Sequence, residues 1–279
     1  MRNGSDLNCF LKNFNQFTSS RILCVIILYR FCFPHYFTMY SIIDRDSSCP
    51  VGRLSQGKLK NKVEVEKLKS FLEKIRTPEK GVSFKMQMIV TIGVILFGFA
   101  LGVLQKWIDG SPSNIFPLLI QQLDLRNYFG RFAIWILLAT CISIYSKSPL
   151  RASINTFLFF ISMLAGYYLY CNYVLGFLPK AYMMMWVMIS FATFFIAYIC
   201  WYAKGEGVIA IIISSAIIGV LFAQAFSLTQ GFYVYHLMEV VTWFIGIIIL
   251  YRKPKEFVIE LGLSVPVALI YQLVIPYWG

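Results

Sequence analysis

The sequence predicts an all-α fold: a polytopic α-helical membrane bundle of about seven transmembrane helices, preceded by a cytoplasmic amphipathic helix. Three observations carry this. Seven long apolar blocks run from about Met86 to Pro276, separated by short loops that are usually basic. Hydrophobic residues make up 58% of the 279-residue chain and charged residues 14%, where a soluble domain carries about 25% charge to cover its surface. The blocks show no apolar–polar alternation, so they read as helices and not as barrel strands. Mean hydropathy is +0.68.

The chain divides by charge into three parts. Residues 1–85 hold 15 Lys/Arg and 7 Asp/Glu, whereas residues 86–279 hold 10 and 6. Residues 1–62 form a poorly defined basic segment. Within it, Ile22–Ile43 is apolar but interrupted by Arg30, Pro34 and His35. A central arginine costs roughly 2.5–3.5 kcal/mol on insertion scales, so this stretch reads as a poor extra span or an interfacial segment. No small-residue cleavage site follows it, which argues against a signal peptide. The abrupt change to orderly sequence at Glu64 admits a simpler expectation, that translation starts near Val63 or Val65 and residues 1–62 are an annotation extension. Residues 63–85 hold the amphipathic element. In EVEKLKSFLEKIR (Glu64–Arg76), Val65, Leu68, Leu72 and Ile75 share one helical face and Pro78 ends the run. Its lysines and its place ahead of a span favour a helix on the inner leaflet.

Residues 86–279 form the transmembrane domain. A span needs roughly 20 apolar residues to cross ~30 Å of hydrocarbon. The first falls at Met88–Trp107, the second at Tyr128–Tyr145, the third at Leu150–Cys171 and the fourth at Ala181–Ala203. The fifth falls at Val208–Phe226, the sixth at Phe232–Tyr251 and the seventh at Phe257–Ile275. Ser148-Pro149 supplies an N-cap with proline at the first helical position. Gly176–Lys180 and Lys204–Gly207 break the chain on either side of span four. Gly98 and Gly102 form a G-x-x-x-G, and Ser215, Gly219 and Ala223 form a small-residue stripe; both predict close helix packing. Pro266 falls at the middle of span seven, where it shapes the helix.

Loop charges set a direction. Lys147, Arg151, Lys204, Arg252, Lys253 and Lys255 lie on the side of the basic front segment, against Lys106, Arg126, Arg131 and Lys180 opposite. The positive-inside rule then places the N-terminus in the cytoplasm and, after an odd number of spans, the C-terminus outside. The same distribution explains the net charge of +12 without nucleic acid, since the basic residues flank spans beside anionic headgroups.

Ionisable groups at membrane depth are the best functional pointers in such a chain. His236 and Glu239 open span six three residues apart, on one helical face. Arg131 lies at the outer end of span two, with Gln224, Gln272 and Asn172 near the outer ends of spans five, seven and three. Ile115–Asp124 (IFPLLIQQLD) is too short to span and reads as a re-entrant or interfacial helix capping this cluster. Arg131, His236, Glu239, Gln224 and Gln272 are thus the candidate ligand-binding residues, and mutual neutralisation of Arg131 and Glu239 is the plainer alternative. Glu260 reads as an inner-interface partner of the Arg252 group.

No cofactor or metal is implied. His236 and Glu239 have two-ligand spacing, but no second histidine motif completes a shell. Met183–Met185 and Met188 point around the helix and read as packing. The seven cysteines (Cys9, Cys24, Cys32, Cys49, Cys141, Cys171, Cys200) contain no C-x-x-C pair and support neither a zinc site nor a disulfide framework. Nucleotide-binding and hydrolase motifs are missing from the sequence, as is an obvious internal repeat.

The stretches SKSPLRASINTFLFFISMLAGYYLY and GFLPKAYMMMWVMISFATFFIAYICWYAKGEG resemble uncharacterised multi-pass membrane proteins of Clostridia-type Firmicutes, over roughly residues 88–251. The resemblance implies a bacterial plasma-membrane protein and no particular activity. Three function classes follow. The first is a small-molecule transport or ligand-binding membrane component. The second is an accessory or sensory subunit acting by helix contacts with other membrane subunits. The third, an intramembrane enzyme using His236 and Glu239, ranks last.

Overall fold

A computed structural model describes residues 66–79, 81–112, 117–229 and 231–275. The chain divides into two units, Met1–Lys67 and Leu68–Gly279. The readings made for residues 1–62, the Ile22–Ile43 stretch included, lie outside the described residues. The second unit is helical almost throughout.

Residues 66–75 form helix α1. Its Ile75 is buried against Ala152, Trp201, Tyr202 and Ala210, with Leu72 packed alongside, whereas Leu68 is 59% exposed. The predicted apolar face therefore meets the protein at its C-terminal half. Helix α2 follows at Phe84–Gly110, then two short helices, α3 at Leu118–Gln122 and α4 at Leu125–Tyr128. Helix α5 is Ala133–Ile144, α6 Pro149–Tyr173 and α7 Lys180–Trp201, which ends in a 3-10 turn at Tyr202–Lys204. Helix α8 is Val208–Ala225. A two-stranded antiparallel hairpin (β1 Phe226–Ser227, β2 Tyr233–Val234, with Phe226 opposite Val234) leads into α9 at Leu237–Leu250 and α10 at Pro254–Val274.

This is a multi-pass membrane protein. Among the described residues, five helices (α2, α6, α7 with its 3-10 turn, α8 and α10) are long and apolar enough to cross a bilayer. The blocks assigned to spans two and six are also helical but shorter than expected. Helix α5 has 12 residues and α9 has 14, which at 1.5 Å per residue is ~18 Å and ~21 Å against ~30 Å of hydrocarbon. The reason is visible at their N-terminal ends. Residues 125–128 fold as the separate helix α4, and residues 226–229 and 231–236 are spent on the hairpin and its connections. A long–short–long order thus occurs twice, α2–α5–α6 and α8–α9–α10, with α7 between them.

Small residues decide which long helices pair. Helix α2 packs on α6, and α8 on α10. A Cβ added at Gly98 would sit 2.5 Å from the Phe159 carbonyl oxygen, and one at Gly102 would collide with the Met163 backbone. Gly166 answers from the α6 side, against Phe99 of α2. At Gly219 an added Cβ would lie 2.6 Å from the Ser264 carbonyl oxygen of α10. The G-x-x-x-G and the small stripe therefore bring backbones together within the chain. The short helices α5 and α9 meet each other, and α5 also packs on α6 and α7. Leu137, Ile144, Ile217, Ile218, Leu221 and Leu250 form the core between them and α8.

Caps follow the sequence signals. Ser148 Oγ accepts from the Arg151 N–H at the start of α6, with Pro149 at its first position. Gly207, at φ +85°, makes the left-handed turn that α8 needs at its start.

Candidate functional site

The loops joining the helices gather at two ends of the bundle. One end carries Arg76, Lys147, Arg151, Lys204 and Arg252 to Lys255 and is called the basic end. The opposite end carries the loop from residue 117 to 132 and the hairpin.

At the opposite end the two short helices present their N-termini to one buried cluster. Arg131 sits two residues ahead of α5, and Glu239 lies in the first turn of α9. Glu239 is 0% exposed and Arg131 is 8% exposed. The guanidinium addresses the carboxylate with two nitrogens: Nε pairs with Oε1, and Nη2 lies 3.5 Å from Oε2. Arg131 Nη1 also donates to Asp124 Oδ2 at 3.0 Å. Asp124 reaches this position from a left-handed backbone, φ 51°, which aspartate tolerates better than most residues. Its other oxygen accepts from Asn127 Nδ2 at 2.7 Å. Below the ion pair, the Tyr128 hydroxyl meets Thr242 Oγ1 at 2.5 Å, and Thr242 donates to the Met238 carbonyl at 2.7 Å. One cation therefore lies between two carboxylates, with the N-terminal dipole of α9 favouring Glu239.

The stretch between α4 and α5 is not helical and runs between the buried Tyr128 and Arg131, where an unpaired carbonyl is costly. The Phe129 carbonyl is met twice, by Gln105 Nε2 and by Trp135 Nε1, each at 2.9 Å. These two side chains, with Phe129, Gly130, Met163, Tyr167, Tyr168 and Trp186, line a cavity of about 40 Å³. That is room for no more than a few water molecules. The cavity is largely aromatic and adjoins the cluster through Gly130. Outside it, Lys106 lies over the Tyr167 ring at 5.1 Å and pairs with Asp109 at 2.5 Å.

Gln224 and Gln272 work elsewhere on the same end. Gln224 Nε2 donates to the Tyr271 hydroxyl at 2.9 Å. Gln272 Nε2 donates to the Ala223 and Phe226 carbonyls at 3.0 and 2.5 Å, and its Oε1 accepts from the Leu228 N–H at 2.9 Å. Gln272 thus caps the C-terminus of α8 where the chain leaves the helix for β1. His236 differs from the expectation of a shared helical face with Glu239. It precedes α9 with extended backbone, φ −150° and ψ 148°, so the three-residue spacing does not stack the two side chains on one helix. Asn172 is exposed near the end of α6. Among the described residues, no group of three His, Cys, Asp or Glu side chains is arranged to hold a metal ion.

The basic end is built in the same manner. Arg252 Nε lies 2.7 Å from Glu260 Oε1, and Glu260 is 0% exposed. The N–H direction does not make this contact a regular hydrogen bond; it is a pairing of opposite charges, as the sequence suggested. The rest of the Arg252 guanidinium caps the chain end of α7, donating to the Ala203 carbonyl and to that of Gly205 at 2.7 Å. Arg76 does the same for two helices, reaching the Trp201 carbonyl at 2.6 Å and the Ile144 carbonyl at 2.9 Å. It also lies 4.1 Å over the Trp201 ring. Burial pushes the Arg76 pKa below its ordinary value, and the Glu79 carboxylate opposes that shift.

The sequence singled out Arg131, Glu239, Gln224, Gln272 and the Arg252–Glu260 pair. It did not single out Gln105, Tyr128, Trp135, Thr242 or Arg76. No motif marks these five. Gln105 and Arg76 are defined by backbone carbonyls of distant segments, Tyr128 and Thr242 by each other, and Trp135 by the Phe129 carbonyl six residues back.

No protein-family model matches the chain. A search of curated proteins and a search of solved structures each gave no match.

Proposed function

We propose that this protein is a small-molecule ligand-binding or transport component of a bacterial plasma membrane, with its N-terminus inside and its C-terminus outside. One observation carries the reading: two half-length helices, α5 and α9, direct their N-termini at a buried Arg131–Glu239 pair that the partly exposed Asp124 joins. Discontinuous helices ending at a charged centre are how many membrane carriers bind polar solutes, and ionisable groups at this depth are costly unless used. The aromatic cavity beside Gly130 is the space such a ligand would enlarge on entry. The orientation rests on the excess of lysine and arginine at the basic end, and the bacterial source on the resemblance of residues 88–251.

A thermal-shift screen of small charged solutes on the detergent-purified protein tests this, because a ligand of the native state raises its stability. The expected result is a hit whose stabilisation is lost in Glu239→Gln while expression persists. A hit that stabilises Glu239→Gln as well as the wild type would refute this placement of the site.

A second reading is supported by the saturation of the same groups. Arg131, Glu239, Gln224 and Gln272 each have a partner within the chain. Under that reading they are structural clasps, and the protein is an accessory or sensory subunit that acts through helix contacts. Recovery of stability in the Arg131→Ala/Glu239→Ala double variant, without any ligand hit, would favour it.

A further inference from the structure

A larger space between helices lies at the other end of the bundle. Because α2 packs on α6 and much less on the short α5, a crevice of about 200 Å³ remains between α2 and the C-terminal end of α5. That is smaller than the ~300–1,000 Å³ of a pocket for a drug-sized molecule. Its walls are apolar along their length: Met86, Val90 and Val94 from α2 face Ile142 and Tyr145. Met86 is 56% exposed, Val90 50% and Tyr145 67%, so the walls open sideways, where the surrounding medium is lipid.

Apart from Gln87 of α2, whose amide donates to the Val82 carbonyl at 3.1 Å, the polar groups lie at the base and the mouth. Asn155 and Ser146 lie at the base and are buried. There the Thr91 hydroxyl lies 2.8 Å from Asn155 Oδ1, and Asn155 Nδ2 lies 3.4 Å from Ser146 Oγ. At the mouth stand Lys147 and Arg151. Lys147 meets Glu79 at 2.6 Å, but both side chains are half-exposed, 50% and 57%, so the pair is worth little and yields readily to another anion. Among the described residues, the Arg151 guanidinium has no hydrogen-bond or ion-pair partner.

From this polarity we infer that the α2–α5 crevice is a binding site for one anionic phospholipid, with its phosphate between Lys147 and Arg151 and an acyl chain along Met86, Val90 and Val94. The amphipathic gradient is the argument. A soluble anion would satisfy the two cations but leave the apolar walls unused. A neutral lipid would use the walls and leave Arg151 unpaired. Basic pockets between membrane helices at the cytoplasmic surface are suited to such headgroups. The inference does not depend on the Arg131 cluster or on any transported ligand.

The test compares the full-length protein in nanodiscs of phosphatidylcholine and in nanodiscs of equimolar phosphatidylcholine and phosphatidylglycerol. Melting temperature is read in the discs, and retained lipid is read by native mass spectrometry after release into detergent. The wild type should melt higher with phosphatidylglycerol and retain one molecule of it. Lys147→Gln/Arg151→Gln should lose the shift and retain the lipid about 30-fold less well, the effect of two basic groups at a lipid surface. Val90→Trp, which fills the crevice and changes no charge, should lose it too and serves where the charge variant fails to fold. Lys253→Gln/Lys255→Gln removes the same charge at the same end, outside the crevice, and should keep both shift and lipid. Loss of the shift in that control would overturn the site in favour of general surface attraction. An equal shift from inorganic phosphate on the phosphatidylcholine discs would overturn the lipid in favour of a free anion. Full retention by Val90→Trp would overturn the crevice as the location.

Discussion

At the scale of single residues, the two ends of the bundle use one device. A fully buried glutamate, Glu239 or Glu260, is held against an arginine supplied from a loop, Arg131 or Arg252. Removing one partner of such a pair strands a charge and costs about 3–5 kcal/mol, whereas replacing both with apolar groups is often neutral. Arg131→Ala and Glu239→Ala are therefore each expected to lower the melting temperature sharply, and Arg131→Leu/Glu239→Leu to recover most of the loss. Additive losses in that double variant would show that the two side chains act independently. Arg76 has a different task, because it answers carbonyls at the ends of α5 and α7. Arg76→Ala should destabilise by about 2–3 kcal/mol through those orphaned acceptors, measured by thermal unfolding in detergent. Arg76→Lys should rescue only in part, since an ammonium cannot span both carbonyls with a planar fork.

At the scale of elements, the helices divide by how their ends are treated. The long helices α2 and α6 touch at glycine, so their approach is set by what lacks a side chain. Gly102→Val would drive a side chain into the Met163 backbone and should cost about 3 kcal/mol by overpacking. Gly93, with open space around its Cβ position, is the matched control: Gly93→Val should be close to neutral in the same assay. Equal losses at the two positions would remove close packing as the explanation. The breaks in the chain ahead of the short helices are met by side chains from elsewhere. Gln105 and Trp135 reach the Phe129 carbonyl ahead of α5, and Gln272 reaches the Ala223 and Phe226 carbonyls where α8 ends.

At the scale of the molecule, the prediction concerns threading. If α5 and α9 complete crossings together with the irregular backbone that precedes them, then Ser111 and Val174 face one side and Lys147 and Lys253 the other. Single cysteines at these positions, in a background lacking the natural cysteines, should react with an impermeant maleimide in whole cells at 111 and 174, and at 147 and 253 after permeabilisation. Labelling of 111 and 147 from the same side would show that α5 does not cross. The reverse pattern at all four would invert the orientation read from loop charge.

Composition and periodicity alone determined that the chain is helical, that it belongs in a bilayer, and where its apolar blocks lie. Those properties follow from hydropathy summed over roughly 20 residues, which needs no tertiary information. The Ser148-Pro149 cap and the close-packing role of Gly98, Gly102 and Gly219 were legible for the same reason, since each depends on local chemistry. Arg131 and Glu239 were legible as charges out of place, and the sequence left their pairing open. Only the tertiary structure decided that they meet across 108 positions, that His236 precedes the helix, and that Gln272 caps the backbone at the end of α8. The same holds for the shortness of α5 and α9. The breaks ahead of these helices are closed by side chains from distant segments, and the spacing of residues along one segment carries no record of what packs against it.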